Sequence, residues 1–455
     1  MITSYKFSNF CGCVHKNGNI LFSSKLNQLF SAVGNKVTVF DLEHNVSTTL
    51  PCEARNDIAL MALSPDSKIL ICIDRDGYSV TINLLARVVI NHFNFKEQVN
   101  DVKYSPDGKF LAICAGRNIK IYEAPDLFKS IEPMVLFKKY HGAHNDNIKQ
   151  INWSQDSRLI LSCSKDNTVR IFTVFLVKNY TPICLTGHKS SIVYATSDSK
   201  FNYVYTLAKD GMFLFWKWVD DYVSETYKKI QQYEKFKAGK KIKVGKNEGI
   251  KKDGEDEEEA DEDQGDMRFA SETEKRLTKG RLILEKKQLF QQSGSKISSA
   301  SYHHPTNLFI VGFRNGVFGL YKLTEAQLES LQTFSVSEAK ITSLCFNFTG
   351  SWIGLSCASL GQLIVWEWRS QTYVLNQQGL FYEVHTLDFS PNGNVLATGG
   401  FDGKVKLWDT KTYLCFATFK DHASKVTGVK FVQQNANTLV SSSLDGTVRA
   451  YDTKR

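Results

Sequence analysis

At 455 residues the chain exceeds one ordinary domain, and its 42% hydrophobic and 23% charged residues are close to the average of globular proteins that fold in water. No stretch reaches the roughly twenty apolar residues that a bilayer-crossing helix requires, and the mixed, polar residues 1–10 lack the apolar core of a secretory signal. The formal charge of +9 is mildly basic, which is compatible with a nucleic-acid partner without requiring one.

Thirty Phe and eighteen Tyr favour strands over helices, because aromatic side chains pack well on a pleated, half-buried surface. Most of the ten cysteines sit in apolar runs, as Cys72 does in Ile69-Leu70-Ile71-Cys72-Ile73. There is no C-x-x-C pair, and Cys11-x-Cys13 alone is no zinc half-site. Small buried hydrophobes in a reducing, intracellular compartment are the expectation, with no metal and no cofactor.

Along the chain one block recurs: a turn, an apolar strand, a second turn, then an alternating strand that ends in an aromatic and often an acid. Early copies centre on Ser64-Pro65-Asp66, Ser105-Pro106-Asp107-Gly108 and Trp153-Ser154-Gln155-Asp156. The clearest runs from Ser390-Pro391-Asn392-Gly393 through Val395-Leu396-Ala397 and Phe401-Asp402-Gly403 to Val405-Lys406-Leu407-Trp408-Asp409. Closing strands end near positions 41, 82, 122, 172, 217, 321, 367, 409 and 452. A period of about 40 to 50 residues is that of four-stranded propeller blades, so the pattern predicts nine WD-type repeats. Seven blades close one propeller, which leaves two over, and two cannot bury their faces alone. The expected fold is therefore all-β: a WD-repeat β-propeller of seven blades over residues 1–368, plus the first blades of a second propeller over 369–455.

Asp at the second turn bonds backbone N–H groups, and the following Gly supplies positive φ. In WD repeats this Asp also accepts a hydrogen bond from a His just before the blade, itself tied to the Trp of the closing strand. Three repeats keep the pair: His144 with Asp166, His188 with Asp210, and His422 with Asp445. Others depart, with Gly379-Leu380, Gly116-Arg117-Asn118 and Leu360-Gly361 at the corresponding places. A His–Asp pair also suits a catalytic base. Its recurrence in several repeats argues for a structural role, since a catalytic site occurs once. No nucleophile elbow, phosphate-cradling loop or H-E-x-x-H accompanies it, so no enzyme is expected.

Residues 219–290 interrupt the period. A short helix is conceivable over 222–236; eight lysines follow, Lys235, Lys237, Lys240, Lys241, Lys243, Lys246, Lys251 and Lys252, then ten acids between Asp253 and Asp266. Such blocks cannot bury enough apolar surface to fold, which predicts a charged disordered insert. It is either a solvated loop or a tail that orders on RNA phosphates or a basic partner. Without interleaved aromatics any RNA contact through these lysines would be electrostatic and sequence-blind.

The run Leu360-Gly361-Gln362-Leu363-Ile364-Val365-Trp366-Glu367-Trp368-Arg369-Ser370-Gln371-Thr372-Tyr373-Val374-Leu375 resembles a signature stretch of the periodic tryptophan protein two family. So do Phe7-Ser8-Asn9-Phe10, Gly34-Asn35-Lys36-Val37-Thr38-Val39-Phe40-Asp41-Leu42, Gly399-Gly400-Phe401-Asp402-Gly403 and the acidic insert after the fifth repeat. The resemblance implies a nucleolar, non-enzymatic scaffold of ribosome biogenesis. Such a scaffold works within the small-subunit processome, among other WD-repeat subunits on the 5′ part of the ribosomal RNA precursor. It would help recruit the box C/D small nucleolar ribonucleoprotein for the early cleavages leading to 18S RNA, with no membrane and no small-molecule substrate. Members of that family continue into a complete second propeller and a helical domain, whereas this sequence ends three residues after Asp452, which predicts a portion of a longer protein. An adaptor of a vesicle coat or a ubiquitin ligase is the competing expectation, which the insert and the signature stretch disfavour.

Overall fold

Apolar runs of six residues between turns are too short for helices and too apolar for strands with one wet face; they suit strands covered on both faces. The computed structural model describes residues 9–126, 134–177, 180–219, 280–290, 295–324, 327–380, 382–433 and 435–453. In it Ile69–Asp74, Phe110–Ala115, Leu159–Ser164, Tyr203–Ala208 and Leu308–Phe313 are buried along their whole length. Each is the second strand of an antiparallel sheet whose strands follow one another in chain order. Fourth strands such as Leu136–Tyr140 and Gln327–Ser335 form outer edges: no residue of the first is buried, and most of the second are exposed. Eight four-stranded sheets and a final three-stranded one account for the described strands, and the only helical turns described are 3₁₀ segments at His304–Thr306 and Ala358–Leu360. The chain is all-β, as its composition led us to expect.

We number the sheets 1 to 9 by residues 20–49, 58–94, 99–140, 148–185, 192–289, 297–335, 343–378, 384–419 and 426–452. First strands of successive sheets from 1 to 7 lie side by side, and the side chains between sheets form shared apolar clusters. One such cluster joins Ile20, Leu29 and Phe40 of sheet 1 to Leu363, Val365 and Leu375 of sheet 7. The first strand of sheet 1, Ile20–Phe22, lies against Ser343–Phe346 and Trp352–Cys357 of sheet 7. Tight turns need glycine here: a Cβ on Gly316, at φ 77°, would stand 1.7 Å from the carbonyl oxygen of Ser337.

Sheets 8 and 9 bury Ala397, Val405, Leu407, Val426, Val429, Phe431 and Leu439 between them. Away from that core both sheets expose apolar side chains: Leu387 and Phe389 are 61% and 56% exposed on sheet 8, beside the buried Thr398, Lys406 and Trp408 of the same face, and Val448 is 70% exposed on sheet 9. A polar joint ties sheet 8 to the outer rims of sheets 7 and 1. The Gln377 amide bonds the backbone of Cys415 twice, donating to its carbonyl at 3.0 Å and accepting from its N–H at 2.9 Å. The ammonium of Lys406, itself buried, donates to the carbonyl oxygens of Gln378 and Gly379 at 2.5 and 3.2 Å. The N–H of Ser47 donates to the Thr412 carbonyl at 2.9 Å, and that of Leu380 to Gly12 at 2.6 Å.

Two expected boundaries move. A limit at 368/369 falls inside sheet 7, because Thr372–Gln378 pairs with Gln362–Glu367 as its fourth strand. The repeat closes on a third strand, whereas the sheet closes one strand later. The insert expected over 219–290 is also too wide: Val219 ends a strand, and Arg281–Leu289 pairs with Met212–Val219 as the outer strand of sheet 5. The apolar run Leu282-Ile283-Leu284 between charged residues was the signal for it. The lysines from 235 to 252, the acids from 253 to 266 and the helix considered over 222–236 lie outside the described residues. Of the opening segment, Asn9 holds the outer strand of sheet 1, its side-chain oxygen accepting from the Thr49 N–H at 2.9 Å and its amide donating to the Ser47 carbonyl at 2.7 Å.

Gln377→Leu is expected to leave both backbone groups of Cys415 without these partners and to cost about 1–3 kcal/mol. Faster proteolytic cleavage near 380–383, with the digestion of sheets 1 to 7 unchanged, is the measurable outcome.

Candidate functional site: buried histidines at the sheet ends

His144 precedes the first strand of sheet 4, and its ring turns into the sheet. Nδ1 lies 3.0 Å from Asp166 Oδ2 and Nε2 2.7 Å from Ser162 Oγ. Asp166, in the turn after Leu159–Ser164, also accepts from Thr168 Oγ1 at 2.7 Å and from the N–H groups of Asn145 and Thr168 at 3.1 and 3.0 Å. Sheet 9 repeats the arrangement, with His422 Nδ1 2.9 Å from Asp445, Nε2 2.7 Å from Ser441 and Thr447 Oγ1 2.7 Å from the same carboxylate. Burial would raise the Asp166 carboxyl, but bonds from Thr168 and His144 outweigh it and hold it below the ordinary value. Burial likewise lowers the His144 imidazole despite its carboxylate, so the ring is neutral, donating from Nδ1 and accepting at Nε2.

The third expected pair is not made. His188 Nε2 lies 2.7 Å from Thr206 Oγ1, but Nδ1 has no hydrogen-bond partner among the described residues, and Asp210 bonds the N–H of Met212 instead. The neighbours explain this. Asp166 and Asp445 stand in Ser-x-Asp-x-Thr turns, where Ser164 or Ser443 accepts the Asp N–H at 3.2 Å and the Thr hydroxyl fixes the carboxylate. Around Asp210 those places hold Ala208 and Met212. The five-residue pattern, rather than the His–Asp pair alone, carries the information.

The tryptophan link is divided among sheets. Trp216 and Trp408 donate to Thr206 and Thr398 at 3.1 and 3.0 Å, yet sheet 5 lacks the carboxylate and sheet 8 has Leu380 in place of histidine. Where His–Asp–Ser is complete, Phe172 and Tyr451 replace tryptophan. A histidine that sequence reasoning missed joins the set: His15 Nδ1 is 2.9 Å from Ser31 Oγ in sheet 1, at the spacing of His144 from Ser162 less two residues. No aspartate follows in its short turn, so nothing flagged it.

Ser162, His144 and Asp166 reproduce the connectivity of a hydrolytic triad. The hydroxyl, however, is fully buried in mid-strand, where no substrate carbonyl reaches it. Among the described residues no three His, Cys, Asp or Glu side chains converge as metal ligands, and no helix is long and apolar enough to cross a membrane.

The WD domain, G-beta repeat model matches residues 86–123, 136–173, 328–367, 371–409 and 413–452. Every match ends on the last residue of a third strand, at Glu123, Thr173, Glu367, Asp409 or Asp452. One repeat thus supplies the outer strand of one sheet and the three inner strands of the next. The chain has an all-β WD40-repeat fold, a β-propeller architecture that typically serves as a non-catalytic scaffold or adaptor among other protein subunits.

Within that class its curated relatives are narrower. Periodic tryptophan protein 2 of Arabidopsis thaliana is 33% identical over 95% of this chain and 49% of its own length. The Saccharomyces cerevisiae protein of the same name is 36% identical over 92% of this chain and 42% of its own, and the mouse homolog is 36% identical over 92% and 45%. The chain spans about half the length of these relatives or less. A chain of the crystal structure of the mitotic checkpoint complex matches with a TM-score of 0.53 over 77% of this chain and 87% of that one, at 11% identity, a likeness of fold alone.

Acid should weaken the fold through the histidines that lack a carboxylate. Burial lowers His15 and His188 from 6.5 to about 4. With the folded value below the unfolded one, their contribution is complete above pH 6.5 and is lost as pH falls toward 4, because the unfolded chain takes up the protons first. His188→Gln is expected to remove about 1 kcal/mol of that loss after solvent screening, read from urea midpoints at about pH 7.5 and about pH 5.

Proposed function

We propose that the chain is a member of the periodic tryptophan protein 2 family and a non-enzymatic scaffold of ribosome biogenesis, acting in the nucleus and nucleolus. The observation that carries this reading is 33–36% identity to plant, mouse and yeast members over more than nine-tenths of the chain, insert included in the span. On this reading sheets 1 to 7 close a propeller, supported by the packing of Ile20–Phe22 on sheet 7 and by the Ile20 N–H, which donates to Ser343 Oγ at 3.3 Å. Sheets 8 and 9 begin a second propeller, supported by their mutual core and by the exposed Leu387, Phe389 and Val448 on either side of it. The buried His–Asp–Ser sets are then structural clasps between a sheet's leading segment and its second turn.

Its partners are other WD-repeat subunits of the small-subunit processome and, through that assembly, the ribosomal RNA precursor and the box C/D small nucleolar ribonucleoprotein. The lysines Lys235 to Lys252 are candidates for a phosphate contact. Sequencing RNA recovered with the tagged protein is expected to enrich 5′ precursor spacer and box C/D RNA. Recovery of neither would overturn the assignment, and charge-reversing the eight lysines should reduce RNA crosslinking if they touch phosphate.

A further inference from the structure

The linker from sheet 1 to sheet 2 is held against sheet 1 by backbone bonds from Leu50, Ala54 and Ile58 to Val37, Asn35 and Gly34, at 2.9, 2.8 and 2.8 Å. Across from it sheet 2 presents Tyr78 opposite Asn94 and Val80 opposite His92. Between them opens a cleft of about 450 Å³, lined by Ala54, Arg55, Tyr78, Val80, His92 and Phe93 among others. A second hollow of about 510 Å³ shares Arg55 and is bordered by Asp57, Arg75 and Asp76.

The charges here are unevenly satisfied. Lys36 takes Glu53 at 2.6 Å, Lys16 takes Asp57 at 3.4 Å, and the Asn56 amide donates to Asp76 at 2.8 Å. Arg55 and Arg75, both exposed, have no ion pair among the described residues. The Arg55 guanidinium lies 4.7 Å from the centroid of the Tyr78 ring. So placed, and without an acid partner among the described residues, the guanidinium keeps its N–H groups available as a two-pronged donor for a carboxylate. Directly beside it, the Tyr78 ring and the Val80 side chain give the cleft an apolar wall, on the face of sheet 2 that pairs Tyr78 with Asn94 and Val80 with His92.

We propose that this cleft binds an acidic peptide segment, one carboxylate held by Arg55 and the neighbouring apolar side chain seated against Tyr78 and Val80. A peptide fits better than a nucleic acid because Glu53, Asp57 and Asp76 surround the two arginines. Successive phosphates would meet those carboxylates within a few nucleotides, whereas a peptide brings one or two negative charges and can place them on the arginines alone.

The test pans phage-displayed random decapeptides on the immobilised full chain, then measures enriched peptides, fluorescein-labelled, by polarisation. Enriched sequences should share an Asp or Glu beside Leu, Ile or Phe. Arg55→Ala should weaken them on the order of tenfold or more, as should Arg55→Lys, which keeps the charge and loses the planar fork. Tyr78→Phe should bind as the parent does, while Tyr78→Ala should not. Unchanged circular dichroism and melting keep these surface variants interpretable. Selection without acidic enrichment, or affinities indifferent to Arg55→Ala, would overturn the proposal. So would a labelled oligouridylate decamer that binds more tightly and displaces the peptides, since the cleft would then be a nucleic-acid site.

Discussion

Strands such as Ile69–Asp74 and Phe110–Ala115 have no polar face. A sheet built around them cannot rest on a single core; it must lie between two others, and each of those needs a further neighbour. Only a stack that returns on itself leaves no such face in water. The packing of sheet 1 on sheet 7 satisfies that requirement for the first seven sheets, and our reading of closure rests on it. Sheets 8 and 9 obey the same rule fully only toward each other, the outer face of sheet 8 being covered just over Lys406 and Trp408. Leu387, Phe389 and Val448 then stay in solvent, each forgoing roughly the 1.5–3 kcal/mol that full burial of such a side chain brings.

Covalent continuity works against separation of the sheets. Because a repeat ends one strand before its sheet does, neighbouring sheets share a repeat, as residues 136–173 share the edge of sheet 3 with the interior of sheet 4. Pulling two sheets apart would therefore cost ladder hydrogen bonds as well as apolar contact. The same offset carries the chain across the joint between sheets 7 and 8: the repeat 371–409 begins in one and ends in the other. Gln377, at the end of the shared outer strand, is thus well placed to grip Cys415.

The architecture was legible because its signals are local. Turn chemistry, buried runs and a regular spacing suffice to predict nine β units. What escaped prediction depends on partners distant in sequence or on residues beside the obvious ones. The offset hid the true end of sheet 7, since Trp366-Glu367 looks final when the strand that finishes the sheet has a weaker, polar pattern, Thr372–Gln378. Charged neighbours disguised Arg281–Leu289 as part of the insert. At the histidines, the pair at 188 and 210 looked equivalent to the other two, and only the missing Ser and Thr of the turn set it apart. The Arg55 cleft gave no sequence signal, because its members come from a linker and two strands that meet only in the fold.

The last rung of the hairpin in sheet 5 pairs Val219 with Arg281. Chain entering and leaving at that rung is clamped at both feet by eight paired positions, so the sheet does not depend on what is threaded between them. Closing a longer excursion costs only a logarithm of its length, about 0.6 kcal/mol for each doubling. Sheet 5 therefore works as a mounting point, from which segments of very different size and charge can be exchanged over evolutionary time without renegotiating the core beneath.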